Sequence, residues 1–263
     1  MTEQTVDYEK EEHAWDKSYS RGDNNILYPK DEVLRFMSKY IIKRTHSLYG
    51  GMQNTVLNIK SPDDFPLDIK GLDFGCGIGR NVIYMGELGI KGYGIDVSST
   101  AIALANSFSS SFVQKDLIEA DNVNFLKMNP GEEIPFRNSY FDFSVCDGVL
   151  DSMSHEMTKQ CFGEIFRVTD RYIYFSVIGS ESHTSGNFVG EEVVTTPQHE
   201  ENTIQNYFDI DKINDLLSPY RQNIMELHIQ KETKEYAKQE VETVVSGFNP
   251  NKHSRFHVTI EKY

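Results

Sequence analysis

The sequence predicts an α/β domain in which helices cover both faces of a doubly wound, mostly parallel sheet. Three observations carry this expectation. From about residue 70, short apolar runs alternate with helix-like segments; a glycine-rich bend follows the first run; and two strand-like segments close the chain. At 263 residues the chain is long enough to bury one substantial core. Its 16 Phe and 14 Tyr supply bulky apolar surface to offset the entropy of ordering the backbone.

In chain order, residues 1–30 are polar and carry Tyr8, Trp15, Tyr19 and Tyr28. They read as an arm that ends at Tyr28-Pro29, where proline disfavours helix for the residue before it. In DEVLRFMSKYIIKR (31–44), Val33, Leu34, Phe36, Met37, Tyr40 and Ile41 recur at helical spacing behind Asp31 as N-cap. Residues 49–69 hold Gly50-Gly51, Ser61-Pro62-Asp63-Asp64 and Pro66, the composition of a connection. The alternating region then runs through IKGLDFGCG, VIYMGEL, IKGYGIDV, TAIALANSF, VNFLKM, YFDFSVCDGV and RYIYFSVIG, with a helix over 157–169 before the last run. After a polar stretch from residue 180, DIDKINDLLSPY reads as a helix, and IMELHIQKE and RFHVTIEKY as strands. No internal repeat is evident.

Composition excludes several classes. A net charge of −14 repels a phosphate backbone, and no Lys/Arg stripe offsets that field locally, so nucleic acid is not expected as a partner. No apolar stretch approaches the roughly 18 residues of a membrane span, and the acidic start has no secretory pattern, so a cytoplasmic protein without membrane association is expected. Cys76, Cys146 and Cys161 are widely spaced and read as buried reduced thiols, with neither a disulfide framework nor a zinc site. No metal ligand set is expected.

The chemistry concentrates in GLDFGCGIGRN (71–81), where Gly75, Gly77 and Gly79 let the backbone bend sharply and approach a ligand closely. About 20 residues on, Asp96 ends the next strand, where a carboxylate can accept hydrogen bonds from both ribose hydroxyls of an adenosine. Together the two features locate a nucleoside. The glycines follow G-x-G-x-G, whereas a dinucleotide turn has G-x-G-x-x-G, so a nicotinamide-dependent oxidoreductase is the lesser reading.

DFGCGIGRN, GIDVSSTAIALA, VNFLKMN and IPFRNSYFDFSVCDGVLDSM resemble, in order, the motifs of class I S-adenosylmethionine-dependent methyltransferases over residues 70–178. The resemblance implies a Rossmann-like, mostly parallel seven-stranded sheet with an antiparallel C-terminal strand, and S-adenosyl-L-methionine as cofactor. It places Asp73 and the turn of Gly75, Cys76, Gly77 and Gly79, with Arg80 beside it, at the methionine moiety. Asp96 would bind ribose and Val97 would pack on adenine. Met128 and Asn129 would lie at the adenine amino group, and Asp147 and Gly148 near the methionine end. Two departures stand out: Asn129 occupies a position where the family often has Asp, and Thr169-Asp170-Arg171 replaces a Lys-Pro-Gly-Gly turn. By the same resemblance residues 1–50 form a lid that turns Trp15, Tyr19 and Tyr28 toward the cofactor, and residues 51–263 form the methyltransferase domain.

Aligning acceptor and methyl contributes about 7–11 kcal/mol, against roughly 3–5 kcal/mol from a general base, so a conspicuous catalytic motif is not required. If the acceptor is a hydroxyl, Asp151 and His155 in CDGVLDSMSHEM are the candidate catalytic bases, although Asp151 or Ser154 equally suits a helix cap. The polar segment 180–207, with His183 and His199, is the candidate acceptor lid. The expected activity is methyl transfer to a small-molecule acceptor, with a hydroxyl favoured. An amine or peptide acceptor, or a nucleoside-binding protein without turnover, stays open, as does the oligomeric state.

Overall fold

Neighbouring residues of the central strands enter opposite cores, as a sheet covered on both faces requires. In the computed structural model, which describes residues 8–45, 56–59, 68–194, 203–235 and 252–263, this is clearest on β6 (Phe141–Asp147) and β7 (Thr169–Ile178). Phe143, Val145, Tyr172 and Tyr174 join one cluster; Cys146, Ile173, Phe175 and Val177 join the other.

The first cluster is closed by α2 (Asp31–Phe36), by the π-helical turn Met37–Ile41, and by Met85 of α3 (Arg80–Glu87). On the other face α5 (His155–Val168) and α6 (Ile210–Leu217) bury Phe162, Ile165, Leu216 and Leu217. The sheet is completed by β3 (Lys70–Phe74), β4 (Lys91–Asp96), β5 (Val123–Lys127), β10 (Ile224–Glu235) and β11 (Lys252–Lys262). Its order is β10-β11-β7-β6-β3-β4-β5, and β8 (Glu191–Val193) and β9 (Ile204–Asn206) pair outside it. Within the sheet β11 runs antiparallel to both neighbours and the remaining pairs are parallel. The seven-stranded arrangement with an antiparallel C-terminal strand is therefore as expected.

The chain winds outward from β3 through β4 to β5, then returns to β6 on the other side of β3. Ligands of open α/β sheets bind where the winding reverses, beyond the carboxyl ends of those strands. The unusual junction after Val168 preserves this frame, because α5 passes into β7 at Thr169 with no loop. The Thr169 hydroxyl donates to the Ile165 carbonyl at 2.6 Å and occupies the helix end.

Three local expectations are corrected. The polar arm contains a helix, α1 (Tyr8–Arg21). It docks through Asp16, whose carboxylate accepts from Ser98 Oγ (2.5 Å), Ser99 Oγ (3.0 Å) and the Thr100 N–H (2.9 Å) at the start of α4 (Ser99–Val113). A carboxylate there satisfies donors that a helix N-terminus leaves without intrahelical partners. The helix expected over 31–44 ends at Ile41, and Ile42 opens a short strand β1 (Ile42–Thr45) paired with β2 (Val56–Ile59). Its N-cap is Lys30, with Asp31 the first helical residue. Most of the connection 49–69 lies outside the described residues.

Gly71 on β3 packs against the face occupied by Phe143 and Met85, and a Cβ there would come within 2.5 Å of the Phe143 ring and 2.8 Å of Met85 Sδ. Overpacking of this kind costs about 1–3 kcal/mol. Gly71→Ala should lower the urea midpoint accordingly at unchanged slope; an unaltered midpoint would show that this contact is soft.

Candidate functional site

The bend after β3 is held from its neighbour strand. The N–H groups of Gly75 and Cys76 both donate to the Ile95 carbonyl, at 2.7 and 3.0 Å. Gly75, Gly77 and Gly79 all have positive φ, between 54° and 85°. A Cβ on Gly75 would fall 2.3 Å from the Val149 side chain, and one on Gly77 would fall 2.6 Å from the Tyr19 hydroxyl. Bare backbone is thus required twice, by conformation and by space.

Asp96 closes the bend. Its Oδ2 accepts from the Gly77 N–H at 2.8 Å and its Oδ1 from the Ser98 N–H at 2.9 Å. Burial nevertheless pushes its pKa up to about 6, with these backbone donors opposing the shift. Asp73, at the end of β3, is raised to about 7 by burial, with the Asn81 side chain opposing. Asn81 Nδ2 donates to Asp73 Oδ1 at 3.1 Å, whereas Asp73 Oδ2 is buried without a hydrogen-bond partner.

A cavity of about 230 Å³ opens over this bend. Gly75, Cys76, Gly77 and Arg80 line it from the turn, Asp96, Val97 and Met128 from one side, and Asp147 and Gly148 from the other. Trp15 and Tyr19, one helical turn apart on α1, cover it. Burial, then the charges of Asp96 and Cys76, hold the Tyr19 hydroxyl well above its usual range, so it stays protonated.

Asp147 anchors the side remote from Asp96. Its Oδ1 accepts from Ser176 Oγ at 2.7 Å, and its Oδ2 meets Lys30 Nζ at 3.1 Å and Arg80 Nη2 at 3.0 Å. Burial alone would raise its pKa; Lys30, Arg255, the Ser176 hydroxyl and Arg80 outweigh it and hold the carboxyl at about 2. Lys30 and Arg255 also line the cavity. No spacing in the sequence points to either; Arg255 arrives from β11, whose register sets it opposite Ile178 of β7.

Other expected site residues lie elsewhere. Tyr28 is 80% exposed and outside the cavity wall. Gly79 lies under Phe125 and Ala105 as the residue before α3, so it shapes the turn from behind. The Asn129 amide donates to Glu132 Oε1 at 2.8 Å, and its neighbours Met128 and Pro130 line the cavity instead.

Neither candidate base faces the cavity. Asp151 is buried, accepts the Ile178 N–H at 2.6 Å and pairs with Arg255 Nη1 at 3.0 Å, which makes it a pin between loop and sheet. His155 begins α5 behind the Ser154 cap, and its ring sits 3.3 Å from Asp215 and edge-on to Phe208. No described residue of segment 180–207 lines the cavity either. His183 is taken up by Ser185 (2.6 Å) and Phe188, and His199 lies outside the described residues.

The methyltransferase domain family matches residues 72–173. A search of curated proteins finds no match. Among solved structures, a S-adenosylmethionine-dependent methyltransferase from Methanosarcina mazei is 23% identical, covers 76% of this chain and 95% of its own, and superposes with a TM-score of 0.56. YcgJ of Bacillus subtilis is 14% identical over 74% of this chain and 92% of its own, with a TM-score of 0.50. TehB of Haemophilus influenzae is 17% identical over 75% of this chain and 59% of its own, also at 0.50. These likenesses are at the level of the fold.

Asp73 carries a stability prediction. Its folded pKa of about 7 exceeds the ordinary 3.8, so the folded state binds this proton more tightly and its contribution is present at low pH. Stability of the ligand-free protein is lost as pH rises from about 4 to about 7 and then levels off, by as much as about 4 kcal/mol at roughly 1.4 kcal/mol per tenfold in proton affinity. Asp73→Asn should flatten that slope and raise the Tm at pH 8; equal Tm values at pH 5 and 8 in both proteins would refute it.

Proposed function

We propose that the chain is a class I S-adenosylmethionine-dependent methyltransferase, which takes its methyl group from S-adenosylmethionine and passes it to a hydroxyl of a small-molecule acceptor. The excess of cationic groups around Asp147, at the end of the cavity remote from Asp96, carries the choice of hydroxyl. An amine acceptor is an ammonium ion at neutral pH and would be repelled by Lys30, Arg80 and Arg255. A hydroxyl has the opposite preference, because nearby cations favour its ionised form.

The bound cofactor supplies an electrophilic methyl on a sulfonium, open to in-line displacement. The residues around it divide the work of holding it. Asp96, fixed by two backbone donors, keeps lone pairs on both oxygens that can accept ribose hydroxyls. Asp73 is 1% exposed and lies behind the wall formed by Phe74 and Gly75, where its unpartnered Oδ2 suits an ammonium group such as that of methionine. Val97 and Met128 offer apolar contact to the adenine side, and Gly75 and Gly77 leave backbone exposed where side chains would clash. Trp15 and Tyr19 exclude water over the reacting atoms and present aromatic surface to a cation, worth roughly 0.5–2 kcal/mol. We therefore read α1 as part of the lid.

Catalysis on this reading rests on alignment and on the cationic surroundings of the acceptor oxygen, without a dedicated base. We place the reaction in the cytoplasm, a reading supported by three buried free thiols, which suit a reducing compartment. No helix among the described residues is long and apolar enough to cross a membrane.

Two outcomes test the reading. Calorimetry should detect S-adenosylhomocysteine binding that weakens as pH falls below about 6, where Asp96 gains its proton. Asp96→Ala should reduce the affinity by roughly 100-fold or more, the loss of two hydrogen bonds to a charged acceptor. Absence of binding by the intact protein would end the assignment. His155→Ala should leave turnover and cofactor affinity within about twofold of the parent, since the ring is committed to Asp215 and Phe208; a large fall in turnover would restore it as a base.

A further inference from the structure

Three cationic side chains reach the same end of the cavity from unconnected parts of the chain: Lys30 ahead of α2, Arg80 on α3 and Arg255 on β11. They face two carboxylates, Asp147 and Asp151. The neighbouring His253 is held at about 4, by burial first and then by Arg255, and burial likewise lowers His257, so neither adds charge at neutral pH. Among the described residues Arg80 pairs with Asp147 and Arg255 with Asp151, which leaves the charge of Lys30, sharing Asp147 with Arg80, unmatched.

Gly148 shows where that charge points. It has φ +71°, and a Cβ at that position would lie 3.4 Å from Arg255 Nη1 and 3.7 Å from Lys30 Nζ. Both cationic heads therefore converge on one spot beside the cavity wall, kept open by the missing side chain. That spot is on the far side of the site from the nucleoside end. Arg255 enters from β11, three strand positions beyond β3 in the sheet, or about 14 Å at the usual strand spacing. Arg80 follows the glycine bend directly and so stands on the cofactor flank.

The arrangement is expensive unless something anionic completes it. Arg255 has only 18% of its side chain exposed, and Lys30, 45% exposed, is drawn in over Asp147. A bound sulfonium would add a further positive charge nearby. We propose that Lys30 and Arg255 form an anion subsite, and that the acceptor is a small molecule carrying a carboxylate or phosphate in addition to the group that is methylated. This rests on the methyltransferase reading of the cavity. A guanidinium and an ammonium on either side of an anionic group give charge-assisted hydrogen bonds of the kind that select carboxylate and phosphate over neutral polar groups.

The experiment uses the full chain saturated with S-adenosylhomocysteine and titrated calorimetrically, at constant ionic strength, with inorganic phosphate, benzoate and neutral benzamide. At least one of the two anions should bind in the millimolar range or tighter and benzamide should not; which anion binds tells phosphate from carboxylate. Lys30→Gln and Arg255→Gln should each weaken anion binding at least about tenfold, with S-adenosylhomocysteine affinity kept within twofold. Lys30→Gln is the variant that leaves the buried Arg255–Asp151 pair intact, and Arg255→Lys should recover part of the loss. No binding by either anion, or equal binding by the parent and Lys30→Gln, overturns the proposal. So does a parallel loss of cofactor affinity, which would assign these cations to the cofactor's own carboxylate. A parent protein without S-adenosylhomocysteine affinity would instead fail the methyltransferase reading, and is distinguished by that first titration.

Discussion

One carboxylate holds the site together. Asp96 ends β4 and binds two backbone N–H groups, from Gly77 in the bend after β3 and from Ser98 at the start of α4. The bend, two strand ends and the head of a helix are thereby fixed to one side chain, and α1 is clasped to the same helix head through Asp16. The wall, floor and cover of the cavity share this origin. Its cost is visible in the raised pKa of Asp96: two donors do not fully repay the desolvation of a buried carboxylate. A ligand with hydroxyl groups to donate would repay more, so the same residue that organises the free protein also favours its occupied form.

What was legible in the sequence is what short-range rules govern. Strand alternation, the glycine bend and the distance from Gly77 to Asp96 are local properties, and β3 through β7 follow from them. The missed features depend on contacts between distant segments. α1 is too polar to show an apolar face, and what anchors it is an aspartate reaching hydroxyls and an N–H more than 80 residues away. Arg255 enters the site only because β11 pairs antiparallel with β7, a matter of sheet order that no spacing encodes. Proximity in sequence misled in the opposite direction for Asp151 and His155. The chain turns at Gly148, with φ +71°, and Val149, Ser152 and Met153 are the residues presented to the cavity. Aromaticity alone points to Tyr28, yet it follows Ile26 and Leu27, which are themselves exposed, and it lies in solvent.

The cavity is electrically divided. Toward the glycine bend the carboxylates are ones that burial drives toward protonation, Asp96 in the wall at about 6 and Asp73 behind it at about 7. The other end is built on Asp147, driven the opposite way to about 2 although it is buried as well. The difference lies in the neighbours: amide and backbone donors at one end, two guanidinium groups and an ammonium group at the other.

That division bears on how a proton could leave an acceptor hydroxyl. On the proposed reading Asp147 is the carboxylate nearest the acceptor, but a group with a pKa of about 2 is a poor base. Taking a proton from a hydroxyl of pKa about 10 would be uphill by some eight powers of ten, roughly 11 kcal/mol, which exceeds what a general base contributes. The same low pKa makes Asp147 an effective counter-ion, because it stays charged and holds Lys30 and Arg80 in place. Its service to the reaction is then to organise cations ahead of time, so that an oxygen becoming anionic meets charge already oriented toward it and needs no reorganisation at that moment.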